Sequence, residues 1–220
     1  MLNLKETEEQ KIYISSDFHL NHNPKRSNPI WNMRGFSSAI EMTDGIIQSV
    51  NDTVRTNDIL LFLGDFCLNT TLEQFDALLG RFNCQNIYCL WGNHNNPHEK
   101  KIYRAAMATL HPEHTELFES ETYPFKYKNV TYVGHYMEVV LNGQFTVLMH
   151  YPISVWNEQA HGAWMLCGHS HYGFEQTKAS SLNGKILDVG WDGHRKPWSL
   201  SEIAFVMKDK QFVPVDHHHK

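Results

Sequence analysis

A chain of 220 residues, 41% of them hydrophobic, is long enough for one domain with a sizeable core. Its formal net charge of −5 offers polyanions no general attraction, so nucleic acid would need a local basic patch. No apolar stretch approaches the ~20 residues of a membrane span, and residues 1–11 are polar and charged, without an apolar leader.

Residues 1–10 read as a polar arm, and 11–16 (KIYISS) as a short buried strand that delivers Asp17 and His19. Residues 21–30, with Asn, Pro and the pair Lys25-Arg26, are loop. A helix begins near Ser38, where Ser38 and Glu41 make a capping box, and Ile40, Ile46, Ile47, Val50 and Val54 follow at near-helical spacing. Gly45 weakens it slightly. Thr56-Asn57-Asp58 turns the chain into 59–63 (ILLFL), which ends at Gly64-Asp65 and is apolar on both faces, as buried strands of parallel sheets are. Thr71 and Gln74 cap the next helix, with Leu72, Phe75, Leu78, Leu79 and Phe82 on one side. Residues 86–91 (NIYCLW) form a third strand ending at Gly92-Asn93-His94, and a helix over 97–110 starts with Pro97 in its first turn. This β-α-β-α-β-α order is the signature of an α/β sandwich.

The second half alternates short strands with turns: 130–133, 136–141 and 144–149, with Asn142-Gly143 as a two-residue hairpin signal and His150 at its end. Residues 163–167 (AWMLC) lead into Gly168-His169-Ser170-His171, and 185–189 is a further strand. Ser199 and Glu202 cap a short closing helix, although 203–207 reads equally as a strand. No linker or repeat interrupts the chain, so 1–220 is taken as one domain with a tail at 214–220. The run His217-His218-His219 there is given no function. Cys67, Cys84, Cys89 and Cys167 lack paired CxxC spacing, which suits reduced, buried thiols in a cytoplasmic protein.

Several apolar runs thus end in Asp, Asn or His. Oxygen and imidazole donors without thiolate suit Mn, Fe, Zn, Ni or Co. Seven such residues are too many for one tetrahedral ion and suit two ions that share a carboxylate, the usual apparatus for attack on phosphorus. Ligands bind outside the carboxyl ends of strands in open α/β sheets. Asp17 and His19 are two apart, so on an extended segment both side chains point the same way, and His169 and His171 share that spacing. Asp65 has two oxygens with which to bridge, Asn93 a neutral carbonyl oxygen. Glycines at 64, 92 and 168 let the backbone turn sharply.

The blocks Asp17-Phe18-His19, Gly64-Asp65, Gly92-Asn93-His94, His150 and Gly168-His169-Ser170-His171 resemble the calcineurin-like metallophosphoesterase superfamily, whose pattern is DxH, GDxx, GNH[DE], a later His and GHxH. The likeness runs from Tyr13 to about Ile203. His150-Tyr151-Pro152 and the late Arg195-Lys196-Pro197-Trp198-Ser199-Leu200 are similar to small, uncapped members from bacteria and phages. The resemblance implies a four-layer αββα sandwich with a dinuclear metal site at the carboxyl ends of the strands. It puts Asp17, His19, Asp65 and His171 on a first divalent transition ion (Mn2+, Fe, Zn2+ or Ni2+) and Asp65, Asn93, His150 and His169 on a second. A hydroxide bridging the ions would attack phosphorus, and His94 would touch the phosphate and protonate the leaving oxygen.

Asn95 departs from the pattern, which has Asp or Glu there. A carboxylate would orient the His94 ring and stabilise its imidazolium, whereas an amide supplies no charge. Asn95 is therefore either a weaker support for the acid or a neutral variation. His22 either lines the mouth of the site or is a solvated loop histidine. Arg34 either grips a phosphate with both arms of its fork or stays on the surface. Tyr151 packs or reaches substrate.

The expected activity is hydrolysis of a phosphodiester on a small or nucleotide-like substrate. Alternatives are a phosphomonoesterase or phosphoprotein phosphatase, a nuclease, and a non-catalytic scaffold of the same fold. Lys25-Arg26 and Lys100-Lys101 are too few for a nucleic-acid track, and Asn95 alone supports the scaffold.

Overall fold

The computed structural model describes residues 1–24, 28–95, 97–110, 112–113, 124–176 and 184–211; Lys25-Arg26, His111, His114 and the tail with its three histidines lie outside the described residues. In chain order the elements are β1 (Leu2–Leu4), β2 (Ile12–Ser15), α1 (Ile30–Met33), α2 (Ala39–Thr53), β3 (Ile59–Phe62), α3 (Leu72–Leu79), β4 (Asn86–Cys89) and α4 (Pro97–Leu110). Then come β5 (Phe125–Tyr127), β6 (Val130–Tyr132), β7 (Tyr136–Leu141), β8 (Gln144–Met149), β9 (Trp164–Cys167), β10 (Ile186–Asp188), α5 (Trp191–His194), β11 (Trp198–Ser199) and α6 (Leu200–Asp209). They build two sheets, ordered β11-β2-β3-β4-β6-β5 and β1-β7-β8-β9-β10. In the first, β2, β3, β4 and β6 run parallel and both edges are antiparallel.

The period of two along β3 explains the layering. Leu60 and Phe62 point to the helices and join Met42, Ile46 and Val50 of α2, Phe75 and Leu79 of α3, and Tyr103 and Met107 of α4. Ile59 and Leu61 point the other way, into a core shared with Val139, Leu148, Leu166 and Leu187 of the second sheet. The far face of that sheet (Val147, Met165, Ile186) packs with Trp156 and Ala163, and Ile153 and Phe174 lie against them. Two sheets packed face to face and flanked by helices are the sandwich the sequence predicts.

Local signals explain most element ends. Thr71 and Gln74 form a reciprocal capping box. At α2, Ser38 accepts from the Glu41 N–H, but the Glu41 carboxylate turns to Ser37, so the box is half closed. Ile40 is 72% exposed, because Ala39, Met42, Thr43 and Ile46 hold the buried stripe of that helix and Ile40 lies one residue off it. Asn142 and Gly143 both have positive φ (49° and 88°), as a tight hairpin between β7 and β8 requires. The closing segment is helical: Ser199 and Glu202 cap reciprocally, Ile203 and Met207 are buried at i, i+4, and Phe205 is 75% exposed. The N-terminal arm opens with an edge strand, β1, parallel to β7.

Candidate metal centre

Past the carboxyl ends of β2 and β3 the chain leaves extended geometry. Asp17, His19, Asp65, His169 and His171 all have left-handed φ, between 50° and 68°. Such conformations cost L-residues roughly 1–2 kcal/mol each, and here the neighbouring turns hold one another. Asp17 N–H donates to Gly64 O, His19 N–H to Asp65 O and Leu20 N–H to Phe66 O, each at 3.0 Å. Asp17 and His19 still meet, with Oδ1 and Nε2 3.7 Å apart, but through this turn and not by alternation along an extended strand. Of the three glycines, Gly64 alone has positive φ, 105°. Gly92 and Gly168 serve close approach instead: a Cβ would run into the Asp65 carboxylate at one and Ser16 and Asp17 at the other.

Two groups of donor atoms result. Asp17, His19 and His171 form one; Asp17, Asp65 and His150 form the other, and within each the donor atoms lie within 4.8 Å of one another. Asp65 Oδ2 stands between them, 3.6 Å from His19 Nε2 and 3.4 Å from His150 Nε2. Asn93 Oδ1 extends the second group, 2.8 Å from His150 Nε2 and 2.9 Å from His169 Nδ1. All seven residues read from the sequence thus converge.

Each carboxylate uses one oxygen on a backbone N–H and leaves the other for the centre. Asp17 Oδ2 accepts from His169 N–H (2.9 Å) and Asp65 Oδ1 from His94 N–H (2.7 Å). The carbonyl of Leu63 accepts from His150 Nδ1 at 2.9 Å, which leaves Nε2 its lone pair. Asp17 Oδ1 and His19 Nε2 are buried and have no hydrogen-bond partner. Orphaned buried polar atoms are rare and costly, and a divalent cation would satisfy both, so the donor set fits such ions.

The ionisation of the two carboxylates and of His19 and His169 agrees with that fit. Burial alone would raise the carboxyls of Asp17 and Asp65, but hydrogen bonds and nearby imidazoles hold both below the usual range. Burial lowers His19, and burial plus the neighbouring His150 lowers His169, which favours the neutral ligating ring. Burial works against protonation of His150 and His171 too, but Asp65 and Asp17 at the first, and Asp192 and Asp17 at the second, raise them.

Beside the first group a cavity of about 630 Å³ opens, lined by His19, His22, Ile30, Met33, Leu68, Asn69, His94 and His171 among others. His94 is exposed there, its ring centroid 5.9 Å from that of His19. His22 is half-buried in the wall, accepts from the Ile30 N–H at 3.2 Å, and is pushed down to about 4 by burial and by His19 and His94 nearby. Tyr151 is 39% exposed and packs edge-on against His169.

Two substrate candidates are engaged elsewhere. Arg34 is buried, and its guanidinium donates to Asp192, Phe18 O and Asp17 O, so it holds the turn and grips no phosphate. Asn95 is buried too: Oδ1 accepts from Gly92 N–H, and Nδ2 donates to Glu99 Oε2 at 2.7 Å. Neither end of its amide is left for the His94 ring or for substrate.

Sequence reading overlooked three carboxylates. Asp192 receives Arg34 and His171; Asp188 receives Ser170 Oγ and the N–H groups of Tyr172 and Gly190; buried Glu99 receives Asn95. For Asp188 the signal was present, since it ends the apolar pair Ile186-Leu187 of one more strand.

A family model described as calcineurin-like phosphoesterase matches residues 10–173. An uncharacterized protein of Methanocaldococcus jannaschii is 27% identical over 212 residues, 93% of this chain and 95% of its own. The solved structure of a protein of unknown function from Aquifex aeolicus superposes with a TM-score of 0.60 at 16% identity, covering 90% of this chain and 99% of that one. Its likeness bears on the fold.

Proposed function

The chain belongs to the calcineurin-like phosphoesterase family, and from that premise we propose that it hydrolyses phosphodiesters of small or nucleotide-like molecules with two divalent transition ions. The observation that carries this is the pair of orphaned atoms, Asp17 Oδ1 and His19 Nε2, buried where two donor groups share Asp17 and Asp65 reaches towards both His19 and His150. Asp17, His19, Asp65 and His171 would hold one ion, and Asp65, Asn93, His150 and His169 the other. When bound, such ions supply Lewis acidity to the phosphoryl oxygens and to the attacking water.

The remaining work falls to the chain. His94 stands exposed on the cavity wall, tied by its backbone N–H to Asp65, and there it would protonate the leaving oxygen. Ile30, Met33 and Leu68 give that cavity an apolar wall for the organic part of an ester, and the amide of Asn69 supplies a hydrogen-bonding edge. The scaffold reading loses its support, because Asn95 has a packing role that says nothing against catalysis. Four buried cysteines held as thiols accord with work in the cytoplasm, and no helix among the described residues is long and apolar enough to cross a membrane.

The test is a panel of nitrophenyl diesters, nitrophenyl phosphate and cyclic nucleotides with Mn2+-loaded protein. Faster turnover of diesters is expected. Turnover of monoesters alone would replace the diester reading, and no turnover in protein carrying two ions would return the scaffold.

A further inference from the structure

We propose that Asp192, clamped by Arg34, positions His171 for the first ion, so that a partly buried ion pair outside the ligand set governs how tightly that ion is held. This rests on the two-ion reading above. His171 Nδ1 lies 2.8 Å from Asp192 Oδ2. A carboxylate only accepts, so Nδ1 carries the hydrogen and Nε2 is the ring's ligating atom in the group with Asp17 and His19.

Asp192 is itself fixed. Arg34 donates from Nε to Oδ1 at 2.8 Å and from Nη2 to Oδ2 at 2.7 Å, a two-point fork. The same guanidinium donates from Nη1 to Phe18 O at 2.8 Å and from Nη2 to Asp17 O at 2.6 Å. One cation therefore ties the turn that carries Asp17 and His19 to the carboxylate behind His171. The α5 turn beneath Asp192 is pinned as well: Trp191 N–H donates to Ser16 O at 3.0 Å, and its buried ring meets Phe18 edge-on. Both oxygens of Asp192 are occupied, so it acts through His171 and is not a ligand. The second group has a neutral support instead, the Leu63 carbonyl behind His150. A carboxylate behind an imidazole makes the ring a better donor, and loss of such a partner typically weakens metal binding ~10–100-fold.

The experiment titrates chelator-stripped wild type, Asp192→Asn and Arg34→Lys with Mn2+, and reads ions per chain, the affinity of each ion and the melting temperature of the metal-free protein. Wild type should take two ions. Asp192→Asn should bind one of them ~10–100-fold more weakly, leave the other unchanged, and recover turnover as Mn2+ is raised. Arg34→Lys, whose single ammonium cannot fork, should fall between. A purely structural role would lower the metal-free melting temperature and leave the ratio of the two affinities intact. Wild type with two ions and Asp192→Asn with both at full affinity would overturn the proposal while the two-ion reading stands; wild type without ions would overturn that reading itself. Nitrogen NMR of the histidines in Zn2+-loaded wild type needs no variant: His171 should keep hydrogen on Nδ1 and bind through Nε2, and binding through Nδ1 would refute the clamp.

Discussion

On one side of Asp65, Asp17 and His19 are buried, and Arg34 holds the turn that carries them; on the other, Asn93 and His169 stand exposed on loops. Each flank has one well-supported histidine, but only His171 leans on a carboxylate. The difference is one of rigidity. Donors whose partners are packed and charged keep their geometry without an ion, whereas exposed ones must be ordered when it binds. The first ion should therefore be the tighter, and variants should separate the flanks.

The largest effect is expected from Asp65→Asn, since Asp65 Oδ2 faces His19 and His150 alike. Turnover and bound ions should both fall further than in any other ligand variant, measured by diester hydrolysis beside elemental analysis. If Asp65→Asn stayed active while His19→Ala and His150→Ala did not, the shared carboxylate would be Asp17, which belongs to both donor groups.

His94→Ala should lower turnover ~10²–10⁴-fold, the usual cost of losing a general acid, with both ions retained. The loss should shrink for esters with good leaving groups, which depart without a proton. Loss of an ion would make His94 a ligand.

Smaller still is the contrast between the flanks. Dialysis against a weak chelator should remove the ion of the Asn93 and His169 side first, and His19→Ala should cost more affinity than His169→Ala. Acid should release the ions too. His150 and His171 have raised pKa values, so their neutral forms dominate only above the ordinary imidazole value of about 6.5. Occupancy should be full at alkaline pH and fall as pH drops through that raised range. Release of the buried side first, followed by titration, would reverse the ranking.

How much of this could be read from the chain varies with the physics involved. Runs such as 59–63 announce a strand because burial on both faces leaves no polar position, and the ligands follow because sheet ends hold side chains still. Arg34 and Asn95 could not be placed from the chain alone for one reason: a sequence displays a polar side chain but not its partner. Arg34 meets Asp192, 158 positions away. Asn95 meets Glu99 only four positions on, yet no pattern says that Glu99 points inward. The left-handed φ at Asp17 and His19 was equally hidden, since non-glycine residues adopt it only where tertiary bonds over-determine the turn.

Asn95 also offers a test of the exposed flank. Asn95 Oδ1 holds Gly92 N–H and so fixes the turn that presents Asn93, while its Nδ2 donates to Glu99, 1% exposed. Asn95→Asp keeps the first bond and replaces the second by two carboxylates at 2.7 Å heavy-atom spacing in a buried place. Such a pair must hold a proton, so its folded-state pKa rises above the unfolded carboxylate value of about 4. The sign follows: the variant should be near wild type at pH 4, and its deficit should grow as pH climbs towards the raised value, by about 1.4 kcal/mol for each unit of the rise. Glu99→Gln added to Asn95→Asp should remove the pH dependence, because an amide at 99 can donate to a carboxylate at 95. Thermal melts from pH 4 to 8 on the single and double variants decide it. A single variant as stable as wild type at pH 8 would mean that the new carboxylate has turned away from Glu99, free to serve His94 after all.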